Sequence, residues 1–147
     1  SGLLFPTTDG SANQFLKTDG SGNLGFATVS TSLNHSDIVD GSTPVASSAT
    51  THIDSFASAT YRSAKYFISI SDATNSRFEI VEANVIHGPS ADSTIEAYVT
   101  VFGNTGSHSS PLCTFTADID DGLVRLLATN NGPSSCTFKF QRTAIDL

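Results

Sequence analysis

Methionine and tryptophan are absent from this 147-residue chain, and charged residues make up only 14 % of it, against about 25 % in an average globular protein. Without Met at its head, the chain is expected to be a mature product or a piece of something longer, with Ser1-Gly2 a possible scar of cleavage. Basic residues are few. There are seven in a chain of net charge −7, and none lies between Lys17 and Arg62. A nucleic-acid groove needs clustered Lys and Arg, so that function class is excluded. An anionic membrane surface is disfavoured on the same ground. No apolar run approaches the roughly 20 residues that span a bilayer, so membrane insertion is not expected. The only cysteines, Cys113 and Cys136, fall in apparent strands. A disulfide requires their Cβ atoms within about 4.5 Å; two small buried hydrophobes is the simpler reading. Their spacing is not that of a zinc site.

What the chain does have is an internal repeat. Phe5, Thr8, Asp9, Gly10, Ser11 and Asn13 recur ten positions on as Phe15, Thr18, Asp19, Gly20, Ser21 and Asn23. Each copy centres on Asp-Gly, a tight-turn signal, because Gly accepts positive φ and Asp bonds back to nearby backbone. A unit this short cannot bury its own apolar residues, and such segments are usually stabilised by neighbours. Leu3, Leu4, Phe5, Phe15, Leu16, Leu24 and Phe26 form an apolar set with no nearby partner in the chain. They are the candidate oligomer interface, with docking on the chain's own domain as the alternative.

Three zones follow. Residues 1–28 hold the repeat. Residues 29–51 are rich in Ser and Thr, poor in large apolar groups and without periodicity, and read as an extended linker. Residues 52–147 read as one folded domain of alternating strands. Tyr66, Ile68 and Ile70 share a face, as do Ile95, Ala97, Val99 and Val101, then Cys113, Phe115 and Ala117, and finally Cys136, Phe138, Phe140 and Arg142. In 77–87 the apolar phase shifts between Ile80 and Val81 and again near Val85, which implies a bulge or burial on both faces. Turn signals at 72–75, 88–90, 103–106, 120–122 and 130–133 separate the runs. The expected fold class is all-β, an antiparallel β-sandwich or jelly-roll-like domain preceded by an extended N-terminal β-turn repeat and linker.

Catalytic, cofactor and metal signatures do not emerge. Glu79, Glu82 and Glu96 are the only glutamates. A glycosidase needs two carboxylates across a cleft, about 5–10 Å apart, and Glu79 and Glu82 fall on opposite faces of a regular strand. A solvated strand face explains all three. Asp118, Asp120 and Asp121 lack the distal Glu of a calcium loop and read as a hairpin turn at Gly122. His35, His52, His87 and His108 form no close pair and read as loop residues. No Gly-x-Ser-x-Gly elbow or phosphate loop is present. No catalytic residue, metal ligand or cofactor is assigned, and an enzyme is not expected.

The stretch from Phe5 to Leu24, followed by Phe26-Ala27, closely resembles a motif of phage tail-fibre and related virion proteins. The segment Tyr61-Arg62-Ser63-Ala64-Lys65-Tyr66, with Val85-Ile86-His87 and Arg142-Thr143-Ala144-Ile145, looks like a module of marine cyanophage structural proteins. The low-charge composition also suits extracellular or virion proteins. The resemblance implies a β-structured, trimeric virion component, assembled in the host cytoplasm, whose partners are its own copies and other virion proteins. A second reading, from another class, is a host-surface glycan-binding module, with Tyr61, Tyr66 or Tyr98 stacking on a sugar and loop 103–111 supplying hydroxyls. A capsid decoration or baseplate protein, and a polysaccharide depolymerase, are further alternatives.

Overall fold

The computed structural model describes residues 2–28, 33–89 and 94–147. The chain divides into two units, Ser1–Ser32 and Leu33–Leu147.

In the first unit, β1 (Gln14–Thr18) pairs antiparallel with β2 (Leu24–Thr28). The second repeat copy makes the loop between them. Asp19 accepts hydrogen bonds from the Ser21 amide (2.8 Å), the Asn23 amide (3.1 Å) and the Asn23 side chain (2.6 Å). Those bonds, led by the Asn23 side chain, hold the Asp19 carboxyl below the usual carboxylate range. Gly20 and Gly22 take the positive φ values the loop requires, 79° and 96°. The first copy behaves differently. Ala12 stands where the second copy has Gly22, and the left-handed residue becomes Asn13 (φ 67°) in a turn from Ser11 to Gln14. The shared Asp-Gly signal thus gives one hairpin loop and, where Ala12 replaces the second glycine, one offset turn.

The second unit is a sandwich. A five-stranded antiparallel sheet runs β3 (Ser36–Val45), β10 (Cys136–Asp146), β5 (Tyr61–Asp72), β6 (Arg77–Pro89) and β7 (Ile95–Gly106). A three-stranded sheet runs β4 (Thr50–Ala57), β9 (Leu123–Asn130) and β8 (Cys113–Asp120). The chain changes sheets between β3 and β4, β4 and β5, β7 and β8, and β9 and β10. The alternation read from the sequence sets the inner faces: Tyr66, Ile68 and Ile70 from β5, Phe138 and Phe140 from β10, and Val124 and Leu126 from β9 are all buried. Phe115 meets Phe138 edge-on across the core, with ring centres 6.4 Å apart. Cys113 and Cys136 are free and buried, and burial pushes both thiols up.

Three expectations need correction. The segment expected to be a linker, 29–51, contributes β3 and the start of β4 to the sandwich; residues 29–32 lie outside the described residues. Its inner positions alternate Val39 and Val45 with Asp37, Gly41 and Thr43, and these three break the hydrophobic stripe because their partners are special. Gly41 lies against the Phe140 ring so closely that an added Cβ would sit 2.5 Å from it, and Asp37 faces Arg142. Gly41→Ala is therefore expected to cost about 1–3 kcal/mol by overpacking, read as a lower urea midpoint at unchanged slope. Second, β6 is unbroken against β5; the bulge is Phe102 on β7, where Glu82 opposes Gly103 and Ala83 opposes Val101. Third, 103–106 continues β7 rather than turning.

Two buried polar groups tie the sandwich together. Arg142, 5 % exposed, donates to Asp54 (2.7 Å) and to the Ser55 carbonyl (2.7 Å), and reaches Asp37 at 3.5 Å. Tyr66 donates to the same Asp54 carboxylate at 3.0 Å. Burial, the largest single influence, opposes the Arg142 charge, but Asp54 and Tyr66 together outweigh it and raise the guanidinium above its ordinary value. At the other end, Asp72 accepts from Ser134 (2.5 Å) and from Asn75 (2.9 and 3.1 Å), which holds its carboxyl below the usual range. It joins the β5–β6 turn to the β9–β10 crossing.

Candidate functional site

The front unit is the first candidate. Two five-residue strands have no interior of their own, and the sequence places large apolar groups on them regardless. Leu3, Leu4, Phe5, Phe15, Leu16 and Phe26 are between 38 % and 67 % exposed. Leu24 alone of the set is half-buried. Leu4 is bound by backbone to the hairpin, through its amide to Gly22 and its carbonyl to the Leu24 amide, both at 2.8 Å. That contact presents Leu3, Leu4 and Phe5 beside the hairpin as a third extended segment. Along β2, a groove of about 370 Å³ is lined by Lys17, Leu24, Gly25, Phe26 and Ala27 among others. Phe26 packs over Gly10, where a Cβ would lie 2.6 Å from the ring. The repeat thus builds a frame that exposes oily side chains.

The tyrosines separate. Tyr66 points into the core with 0 % exposure, so it cannot stack on a sugar; its place in the inward alternation with Ile68 and Ile70 is the reason. Tyr61 is half-buried edge-on to Phe56, with ring centres 6.5 Å apart. Tyr98 is 44 % exposed and donates to Glu96 at 3.1 Å.

A polar cavity of about 290 Å³ opens where loop 106–111 leaves β7, lined by Glu79, Asn104, Gly106, His108, Ser109, Ser110 and Pro111. Sequence reasoning placed Glu79 on a solvated face. It is instead 3 % exposed, because β6 directs Glu79, Val81, Ala83, Val85 and His87 inward. Its carboxylate accepts from the Asn104 amide (2.5 Å) and the Leu112 backbone N–H (2.6 Å). His108 Nε2 lies 3.9 Å away, and neither ring nitrogen has a hydrogen-bond partner. The signal in the sequence was there: Glu79 keeps the inward phase of Val81 and Val85.

The remaining carboxylates have structural partners. Glu82 pairs with Lys65 at 2.8 Å on the outer face, opposite Glu79. Arg125 holds Asp118 at 2.6 Å and Asp120 at 2.5 Å, and Asp121-Gly122 form the β8–β9 turn with φ of 47° and 74°. Of the sequence's loop histidines, His87 is buried, with Nε2 2.8 Å from the Tyr61 carbonyl. Among the described residues no three His, Cys, Asp or Glu side chains cluster in a way that could hold a metal.

No family model matches the chain, and no curated protein matches it. Among solved structures it is similar to the tailspike protein of Acinetobacter baumannii phage AM24, with a TM-score of 0.48 and 7 % identity over 76 % of this chain. It is also similar to the tailspike protein of Acinetobacter phage vB_ApiP_P1, with a TM-score of 0.38 and 21 % identity over 82 % of this chain. The matches span 26 % and 23 % of those tailspike chains, about a quarter of their length.

Proposed function

We propose that this chain is a structural component of a phage tail fibre or similar virion appendage. It assembles as a homotrimer through its front repeat, with the sandwich turned toward the surroundings. The observation that carries this reading is the exposure of Leu3, Leu4, Phe5, Phe15, Leu16 and Phe26 on a unit too small to cover them. Burying a large side chain contributes about 1.5–3 kcal/mol, so three copies meeting along this unit gain from every one of these positions. The resemblance of residues 5–26 to the tail-fibre motif points the same way. On this reading the chain acts by assembly and not by catalysis. Glu79 is engaged by its own neighbours and Glu82 by Lys65.

Contact with a host-surface glycan is a second role compatible with the first. The cavity beside Glu79 favours it, since the His108 ring nitrogens and the hydroxyls of Ser109 and Ser110 suit a neutral polyhydroxylated ligand.

The test is the solution mass of the full chain, by light scattering. A trimer of the 15.4 kDa chain is expected, and it is expected to be lost when Phe5, Phe15 and Phe26 are all replaced by Ser. A wild-type protein that stays monomeric at high concentration overturns the assembly reading. Loss of virion incorporation on deleting residues 1–28 tests the anchoring role. Release of reducing sugar from host envelope would return the enzyme.

A further inference from the structure

The outer face of the five-stranded sheet carries more apolar surface than a solvated sheet needs. Phe67 on β5, Phe78, Ile80 and Ile86 on β6, Phe102 on β7 and Ile145 on β10 are 38–54 % exposed. Register brings them together. Ile86 lies opposite Ser63, which in turn lies opposite Ile145. Phe67 lies opposite Glu82, one step along β6 from the Ile80 pairing with Ser69. The β7 bulge inserts Phe102 here, and the Lys65 ammonium sits over its ring at 5.3 Å.

The strand that carries most of this set, β6, has large apolar residues in both phases, Phe78, Ile80 and Ile86 outside and Val81 and Val85 inside, with Glu82 and Asn84 between the outer ones. Antiparallel strands with one wet face alternate, whereas near-continuous apolar runs belong to strands covered on both sides. The inner phase, Val81, Ala83 and Val85, is covered by the core. The outer residues Phe78, Ile80 and Ile86 stay 38–54 % exposed, with no cover from the described residues of the sandwich.

We propose that a second copy of this chain docks on this face. Three observations select that occupant. The first is size. Five strands about 4.8 Å apart and about ten residues long at roughly 3.4 Å each present a face of about 800 Å², the share each partner contributes to a stable specific interface. The second is charge. The chain is strongly acidic at −7, yet this face sets Lys65 and Lys139 against Asp40, Glu82 and Glu96. Lys65 and Glu82 are already paired. Two copies meeting here escape the repulsion that the rest of the surface imposes. The third is make-up. Exposed aromatic and aliphatic anchors (Phe67, Ile80, Phe102) lie among the small polar side chains Ser69, Thr105, Thr137 and Thr143, a mixture of apolar anchors and polar groups found in specific interfaces. The inference rests on the reading of the chain as a self-assembling component but assigns the contact to a surface other than the front repeat.

The experiment compares three full-length proteins by sedimentation over a dilution series: wild type, Phe67→Asp/Ile80→Asp, and Phe15→Ser/Phe26→Ser. The sheet-face variant is expected to associate about 100-fold more weakly than wild type, with unchanged far-UV circular dichroism. The front variant retains association through the sheet face. If the sheet-face variant associates like wild type while the front variant dissociates, this proposal fails and the front-repeat reading stands. If wild type is monomeric, both fail. Radical footprinting of wild type serves as a measurement free of substitutions. Oxidation of Phe67, Phe78 and Phe102 is expected to rise on dilution, and rates independent of concentration overturn the proposal, as they would if the chain's own front unit or another protein covered the face.

Discussion

Arg142→Met is expected to destabilise the sandwich by about 3–5 kcal/mol, the cost of leaving a buried charge without its partner. Among the described residues Arg142 is the only cation paired with Asp54, and the Asp54 side chain is 12 % exposed. Removing the guanidinium leaves that carboxylate with one hydrogen bond, from Tyr66, and frees the Ser55 carbonyl. The Met side chain keeps most of the aliphatic stem, while the guanidinium placed 5.8 Å from the Phe56 ring centre is lost with its cation–π contact. Lysine is not a rescue, since a single ammonium cannot reproduce a planar fork aimed at Asp54, Ser55 and Asp37. Replacing the whole group is different. In Arg142→Met/Asp54→Leu/Tyr66→Phe the stranded buried carboxylate and phenol are gone and only the Ser55 carbonyl and the half-buried Asp37 lose a partner, so part of the stability is expected to return. Urea unfolding of the four proteins at one fixed concentration reads the effect, because self-association adds to apparent stability. A loss below about 1 kcal/mol in the single variant would mean that water enters and solvates Asp54.

Most of the sandwich was legible because its strands obey period two. From β5 onward, inner faces alternate with polar ones, and Arg142 kept the inward step of Phe138 and Phe140 although it is charged. Where the pattern failed, a neighbour had changed what a position needs. β3 was invisible as a strand because Gly41 yields space to Phe140, Asp37 answers Arg142, and Thr43 bonds the Ile53 carbonyl at 3.2 Å. A strand whose inner residues are chosen for such partners has no hydrophobic period to read. β6 showed the converse. Its doubled apolar phase suggested a bulge or burial on both faces, and the strand is regular against β5 with one apolar set left outside. The front apolar set was legible as unpartnered, since no segment of residues 1–28 is long enough to enclose it. The polar cavity was not, because it needs Glu79 and His108 from segments that only the fold brings together.

Glu79→Ala is expected to cost about 2–4 kcal/mol, since two donors lose a charged acceptor inside the protein. The Leu112 N–H is the critical one. Leu112 is 1 % exposed, and its amide has no route to water without the loop opening. Glu79→Gln is expected to fall between, because Asn104 and Leu112 donate to different carboxylate oxygens and the Gln side chain turns an NH2 donor toward one of them. The damage spreads along a defined path. Loop 106–112 carries the chain from the five-stranded sheet to the three-stranded one, and Glu79 pins its far end. Its near end is pinned at Phe78, whose carbonyl accepts from the Ser107 amide at 2.8 Å and whose amide donates to the Ser107 hydroxyl at 2.9 Å. Loosening the crossing therefore releases Phe78, an anchor of the outer sheet face, as well as the wall of the polar cavity. Hydrogen exchange is expected to quicken first in residues 104–112 and at Phe78, with β9 and β10 unchanged. Under the proposed docking of a second copy on the outer sheet face, self-association is expected to weaken in the same variant although no side chain of that face has been altered. Uniform acceleration across both sheets would show that Glu79 holds the whole sandwich and not this one crossing.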